Sequence, residues 1–362
     1  MNDTLFVQTA ALIQFVTDVL TRHGLSAEDA AITADVLVAA DRRGIESHGV
    51  ARLKRYVDGL HDGTIRPDAP LQVVRETPVS LVIDGGGGMG QPVAYRTMQR
   101  CIAKARDNML CFAAVRNSNH YGIAGYYTLM ALAENMIGIS LTNSAPLVVP
   151  TFGKEVVIGT NPISIGIPAR NERPFLLDMA TSTVPRGKVE VYARADKTMP
   201  DCWATDETGL PSTDAAQVIR NLLARAGGGL LPLGGGTELT GGHKGYGLAA
   251  VVDILCAVLS GGSFSLNVYG DAGAPAQVAH FLGVINPEAF VGLEAIRQNL
   301  DAFIRMLRQA PRADGQERIY IAGEKEFEAE ERHRARLPLA TNVFTALNQL
   351  GEPLALRLNV YS

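Results

Sequence analysis

His48 lies between a hydroxyl and a glycine in Glu46-Ser47-His48-Gly49, and Arg52 follows four residues later. An imidazole exchanges protons near neutral pH, and a neighbouring hydroxyl can orient its ring. Arginine grips a carboxylate with two parallel hydrogen bonds. At a helix start, a four-residue spacing brings the two side chains together. The pair suits an acid substrate, with His48 for its carbonyl or hydroxyl and Arg52 for its carboxylate. The same residues also fit a plainer use, Ser47 as a helix cap and Arg52 in a surface ion pair.

Four further segments carry polar groups at turns. Ser118-Asn119-His120-Tyr121-Gly122 follows the apolar run LCFAAVRN and opens a helix, where strand ends and free N–H groups gather ligands. Gly159-Thr160-Asn161-Pro162 is a turn with short polar side chains. Asp178-Met179-Ala180-Thr181-Ser182 ends the run PFLLDMA, and its acid could hold ribose hydroxyls or cap the next helix. In Gly242-His243-Lys244-Gly245, a lysine between glycines opens an apolar helix without the GxxxxGK[ST] of a P-loop. A fifth segment, Gly85-Gly-Gly-Gly-Met-Gly90, matches GxGxxG, with Asp107 in the ribose-binding range. Five glycines in six positions make that match cheap, and Asp107 falls in a helix instead of ending a strand. The segment is read as a close-packed turn.

Elements must bring these segments together. Thr4 to His23 and Ser26 to Arg43 read as helices; Ser26 with Asp29 resembles a capping box, and Gly44 is the stop of the second helix. A third helix is expected from Val50 to His61. From Ser80 short apolar runs bounded by turn residues read as strands of one sheet: SLVIDG, LCFAAVRN, IGISLTNS, ISIGIP, PFLLDMA and, later, Val278 to Ile285. Helices are expected over Gln91 to Arg106, Ile123 to Asn135, Gly245 to Leu259, Phe290 to Gln309, Glu324 to Arg336 and Leu339 to Gln349. The glycine-rich stretch Ala224 to Gly242 is a loop. The expected organisation is a helical N-terminal region (1–75), an α/β core (76–330) and C-terminal helices (331–362) that pack back on the first region.

Composition excludes several classes. Hydrophobic residues make up 47% of the 362 positions and 33 basic side chains stand against 37 acidic ones, so neither disorder nor a nucleic-acid or polybasic membrane surface is suggested. The longest apolar stretch, Tyr246 to Leu259, is broken by Asp253 and is shorter than the roughly 18 residues a bilayer requires. Cys101, Cys111, Cys202 and Cys256 are scattered, without zinc-ligand spacing. They fit a reducing cytoplasm, and no metal is expected.

Taken in order, the segments resemble the malate/L-lactate dehydrogenase family of the sulfolactate dehydrogenase type. The resemblance rests on ADRRGIESHGVARLKRYV (40–57), SNHYGIAGYY (118–127), IGTNPISIGIP (158–168), LLDMATS (176–182) and GHKGYGLAAVVDILCAVLSGG (242–262), with GMGQPVAY, TNSAP and RGKVEV between them. It implies a non-Rossmann α/β fold, a large mixed sheet with flanking helices and a helical N-terminal region. It implies an NAD- or NADP-dependent oxidoreductase acting on a small 2-hydroxy or 2-oxo acid, and a homodimer. By the same resemblance His48 is the proton donor or base, Ser47 orients it, and Arg52 binds the substrate carboxylate. His120 serves chemistry or cofactor contact, and Thr160 the substrate. Ser144, Asp178, Met179, Ala180, His243 and Lys244 match the cofactor shell, as do Gly323, Glu324 and Lys325, where Ala322 replaces the family's usual proline. Two rivals are a cyclic-imine carboxylate reductase and a non-catalytic binding protein. Imine reducers of the family tend to carry aspartate at Lys188, which demotes the first; the retained polar residues disfavour the second. The loop Gly227 to Gly241 is expanded relative to the family.

Overall fold

The computed structural model describes residues 4–269 and 273–361. The chain begins with β1 (Thr4–Gln8), α1 (Thr9–Arg22) and α2 (Ala27–Arg42). Ser26 accepts the Asp29 N–H at 3.1 Å as the cap of α2, and Gly44, at φ +74°, follows its end. Two 3-10 turns, Glu46–His48 and Val50–Arg52, lead into α3 (Leu53–His61). This helix starts one turn later than its periodicity suggests, because the Val50 N–H is drawn to the Asp41 carboxylate of α2 at 2.7 Å.

The core follows as β2 (Gln72–Thr77), β3 (Ser80–Asp84), α4 (Gly90–Asn108), β4 (Leu110–Ser118), α5 (Ala124–Ala133), β5 (Ile137–Thr142), β6 (Ile163–Ile167) and β7 (Phe175–Met179). A smaller cluster comprises α6 (Arg186–Arg194), β8 (Ala204–Thr205), α7 (Ala215–Ala224) and β9 (Gly229–Leu230). After it come α8 (Gly242–Asp253), extended by a π-helical turn over Ile254–Val258, then β10 (Val278–Ile285) and α9 (Leu293–Gln309). The chain closes with α10 (Glu324–Arg332), β11 (Arg336–Ala340) and α11 (Thr341–Gly351).

Two local expectations give way to long-range pairing, and one strand is not among those expected. Thr4 to Gln8 is strand and not helix because β1 pairs antiparallel with β11, Val7 opposite Leu337. The last two expected helices are separated by that same β11, whose Leu337 and Leu339 enter the core at alternate positions. The edge strand β2 shows almost no burial alternation, so its pattern carries no strand signal.

One mixed sheet has the order β2-β3-β4-β10-β5-β6-β7. Only β3 and β4 run parallel; the remaining neighbours are antiparallel. Helices α4 and α5 cover one face, where Met98 and Cys101 of α4 and Tyr127 of α5 share a cluster with Leu282 of β10. Val252, Cys256 and Ala257 of α8 and its π turn pack on Leu141 and Ala279. The N-terminal helices and the C-terminal segment share a separate core that includes Leu12, Leu37, Leu53, Leu337 and Leu347.

The register decides where polar segments emerge. Asp84 pairs with Arg116, Ser118 with Val278, Thr142 with His280, Leu141 with Ile163 and Ile163 with Met179. With these directions, the C-terminal ends of β3, β4, β5 and β7 and the N-terminal ends of β6 and β10 share one end of the sheet. Segments 85–90, 118–122, 142–146, 159–162 and 178–182 therefore converge despite their distance in sequence. The glycine turn is a packing device here: a Cβ on Gly90 would lie 2.2 Å from the Asn119 carbonyl. Gly90→Ala must displace the 118–122 segment and should cost about 1–3 kcal/mol or more. A urea midpoint equal to that of the unsubstituted chain would contradict this packing.

Candidate active site

The shared sheet end and the turn before α3 enclose a cavity of about 280 Å³. Ser47, His48 and Arg52 line one side, His120 and Tyr121 a second, and Thr142, Asn143, Ser144 and Thr160 a third. Of the residues singled out from sequence, Ser47, His48, Arg52, His120, Ser144 and Thr160 thus meet in one place.

Local structure explains the histidine turn. A Cβ on Gly49 would overlap the Asp41 carboxylate at 1.9 Å, so only glycine allows the chain to pass so close to α2. Asp41, buried at 4% exposure, accepts the Val50 N–H, and burial pushes its carboxyl up to about 7. Beyond this anchor Ser47 Oγ lies 2.9 Å from His48 Nδ1, and Arg52 Nε donates to the Ser47 carbonyl at 2.7 Å. These contacts direct the imidazole and leave the outer guanidinium nitrogens of Arg52 to the cavity. Burial, and then the charges of Arg52 and Arg55, lower the His48 pKa to about 4. The free site therefore holds a neutral imidazole that can take a proton.

His120 stacks on His48 with ring centroids 5.5 Å apart. Its Nδ1 faces the Gly122 N–H at 3.4 Å and the Tyr56 hydroxyl at 2.7 Å. An amide N–H can only donate, so Nδ1 is the acceptor and Nε2 carries the proton. Burial and the nearby positive groups hold the ring neutral, well below the ordinary histidine range. His48 can thus serve as a proton acceptor while His120 presents a fixed donor.

The third side is braced from beneath. Asn143 donates to Asp253 Oδ1 and Asn161 to Asp253 Oδ2, each at 3.0 Å. Asn161 Oδ1 accepts the Ser144 N–H at 3.2 Å, and the Ser144 hydroxyl accepts the Thr160 N–H at 3.0 Å. On the central strands His280 is fully buried between Thr142 and Ser118, at 2.7 and 2.8 Å, and stacks flat on Tyr121.

The remaining predicted residues are distributed differently. Asp178, Gly323 and Lys325 line a second cavity, also about 280 Å³, with Arg43 and Tyr320. Met179 and Ala180 continue the chain from Asp178 towards Thr181, whose N–H bonds the Thr160 carbonyl at 2.9 Å. Glu324 is spent on structure, pairing with Arg308 at 2.5 Å and accepting the Ile321 N–H. His243 and Lys244 are exposed at the start of α8 and line neither cavity. Lys188 points at Trp203, its Nζ 4.8 Å from the ring.

The donor set suits a dinucleotide. Asp178 Oδ2 accepts the Gly125 N–H at 2.8 Å, and Oδ1 accepts from no described residue. A carboxylate with one free oxygen in a cavity matches ribose hydroxyls, which are donors. No group of three or more His, Cys, Asp or Glu among the described residues could hold a metal. No helix among them is long and apolar enough to cross a membrane.

Sequence reasoning missed Arg55, Tyr56, Asn143, Asp253 and His280. Arg55 and Tyr56 lie in the same RLKRY run as Arg52, so helical spacing from Arg52 was the available signal for Arg55. Asn143 and Asp253 meet only through the fold, and His280 sits in an apolar strand with no polar neighbour to mark it.

The family model described as malate/L-lactate dehydrogenase matches residues 7–348. A malate dehydrogenase of Pyrococcus horikoshii is 48% identical over 94% of this chain and 93% of its own length. An L-sulfolactate dehydrogenase of Methanocaldococcus jannaschii is 36% identical over 96% of this chain and 97% of its own. The crystal structure of malate dehydrogenase from Entamoeba histolytica superposes with a TM-score of 0.94 at 36% identity, covering 98% of this chain and 99% of that one.

The geometry makes a direct prediction about the imidazole. In a histidine-labelled sample, NMR should show the His48 ring titrating near pH 4. A midpoint near 6.5, the ordinary histidine value, would contradict the burial of the ring and the field of Arg52 and Arg55.

Proposed function

The chain belongs to the malate/L-lactate dehydrogenase family, and from that premise we propose that His48 and Arg52 interconvert a small 2-hydroxy acid and its 2-oxo acid using NAD or NADP. The observation that carries this reading is the His48 imidazole and the Arg52 guanidinium, which has no ion-pair partner among the described residues, side by side in one cavity. Malate is the first candidate substrate, after the name of the 48%-identical relative.

A bound nicotinamide would supply a hydride acceptor for oxidation and a hydride donor for reduction. The dinucleotide would reach from Ser144 in the first cavity along Met179 and Ala180 to Asp178 and Gly323 in the second. Asp178 would hold ribose hydroxyls.

The chain's own residues handle the proton and the substrate charge. Arg52 binds the C1 carboxylate, and Thr160 and Ser144 border the bound acid. In oxidation the C2–H bond gives up hydride and the hydroxyl proton passes to His48 Nε2 in the tautomer that places the other ring proton on Nδ1, beside the Ser47 hydroxyl. The C2–O single bond becomes a carbonyl, towards which the His120 Nε2–H can donate. In reduction His48 returns the proton to the oxygen as hydride arrives at C2. Substrate binding prepares this exchange: a carboxylate on Arg52 cancels part of the charge that depresses His48, so the imidazole becomes a better base once the acid is in place.

We also propose a homodimer and a cytoplasmic location. Tyr246, Leu248, Val251, Ile254 and Val258 expose an apolar strip along α8 and its π turn, which a second copy would cover. The four cysteines are free, as a reducing compartment requires.

The test is absorbance at 340 nm, with NADH and NADPH offered separately to a panel of 2-oxo acids and cyclic imine acids. Consumption with a 2-oxo acid is expected, and consumption with imines alone would overturn the reading. His48→Ala should lose about 10²- to 10⁴-fold in kcat. Arg52→Lys should chiefly raise the substrate KM, because bidentate geometry is lost. A His48→Ala enzyme with unchanged turnover would remove His48 from the chemistry.

A further inference from the structure

The reactive cavity carries more positive charge than a monocarboxylic acid can use. Arg52, Arg55 and Arg186 all line it. Arg186 is paired with Glu190 at 2.8 Å, which spends the one carboxylate among the lining residues. Arg52 and Arg55 form no ion pair with any described residue. They stand three positions apart at the start of α3, a spacing that places both side chains on one helix face.

Their surroundings differ. Arg52 is held beneath the histidine turn by its bond to the Ser47 carbonyl. Arg55 lies at the exposed mouth, where its Nη2 donates to the Tyr269 hydroxyl at 2.9 Å. Its guanidinium carbon also sits 5.8 Å from the centroid of the Tyr269 ring. Tyr269 lines the same cavity, so it holds the guanidinium at the entrance while Nε and Nη1 keep no hydrogen bond to a described residue. A preorganised, partly unsatisfied guanidinium facing a cavity is a recognition element for an anion.

We propose that Arg55 binds a second anionic group of the substrate, on the carbon side away from C1, and so selects 2-hydroxy and 2-oxo acids that carry two negative groups. This deepens the dehydrogenase reading above and rests on it. An acid with two anions two carbons apart matches two guanidinium groups one helical turn apart, whereas a lactate-like acid leaves Arg55 uncompensated. A site built to pair a charged group discriminates strongly against the analogue that lacks it. Tyr269 is a positioning residue here: it acts through Arg55 and would not itself contact the reacting atoms.

The experiment compares oxaloacetate, sulfopyruvate and 2-oxobutyrate, the last uncharged at its far end, as substrates of the full-length enzyme and its variants. Arg55→Gln should lower kcat/KM for the doubly charged acids by about 10- to 100-fold, the range for a hydrogen bond to a charged group. 2-Oxobutyrate shares any effect of Arg55 on the His48 imidazole but has no second anion, so it is the internal reference: its kcat/KM should fall at least about tenfold less than that of the doubly charged acids. Arg55→Lys should recover part of the loss, and Tyr269→Phe should raise KM for the charged acids while leaving kcat in place. A loss on sulfopyruvate and oxaloacetate alike identifies any second anion as the ligand; a loss confined to one identifies that group. An equal loss on all three acids overturns the assignment of Arg55 while leaving the dehydrogenase reading intact. A wild-type enzyme silent on all three, with folding verified by circular dichroism, overturns both.

Discussion

The Asp253 carboxylate, 8% exposed at the end of α8, accepts one hydrogen bond from Asn143 and one from Asn161. Asn143 also accepts the Ala279 N–H at 2.8 Å, and Asn161 also accepts the Ser144 N–H and donates to the Ala249 carbonyl. One buried charge thereby ties the ends of β5, β6 and β10 to the helix that covers them. Desolvation raises the Asp253 pKa and the two amide bonds oppose that rise. A buried network of this kind is strong only while every member is paired, since a single loss leaves an unsatisfied group in a low-dielectric interior. The position of Ser144 and Thr160, and hence one wall of the reactive cavity, depends on that closure.

The opposite wall obeys a different constraint. Asp41 holds Val50 on α2, Gly49 leaves room for the approach, and the next residues face the cavity with Ser47 against His48 and Arg52 beneath. Burial first, and then the two nearby guanidinium groups, hold the His48 pKa below the ordinary histidine range. An anionic substrate bound at Arg52, as proposed, would relieve that field. On the proposed reading this arrangement would couple recognition to proton transfer without a moving part, the charge that attracts the acid also suppressing the base until the acid arrives.

The sequence made some of this legible and concealed the rest for physical reasons. Short-range features were readable: Ser26 as the cap of α2, the Ser47–His48 pair, Arg52 at the start of the next helix, and the strands between Ser80 and Met179. The glycine run 85–90 reads as a close-packed turn and is one, since Gly90 has no room for a side chain. The family resemblance gave the mixed, non-Rossmann sheet. What stayed hidden depends on partners far along the chain. Thr4 to Gln8 has helical periodicity, yet becomes strand only because Arg336–Ala340 returns beside it. Tyr56 meets His120 across 64 positions, and Asn143 meets Asp253 across 110. Composition also could not show that Glu324 would be consumed by Arg308, or that His243 and Lys244 would face outward.

The central claim is that His48 is a neutral base whose affinity for protons rises when the substrate carboxylate reaches Arg52. Steady-state oxidation of malate over a wide pH range tests it most directly, because kcat/KM reports the enzyme before the acid binds and kcat reports the complex. The account predicts that kcat/KM loses activity only well below the ordinary histidine pKa, that the acid limb of kcat lies at higher pH, and that both limbs vanish from the residual activity of His48→Ala. Coincident limbs at the ordinary histidine value, or limbs that persist without His48, would contradict it.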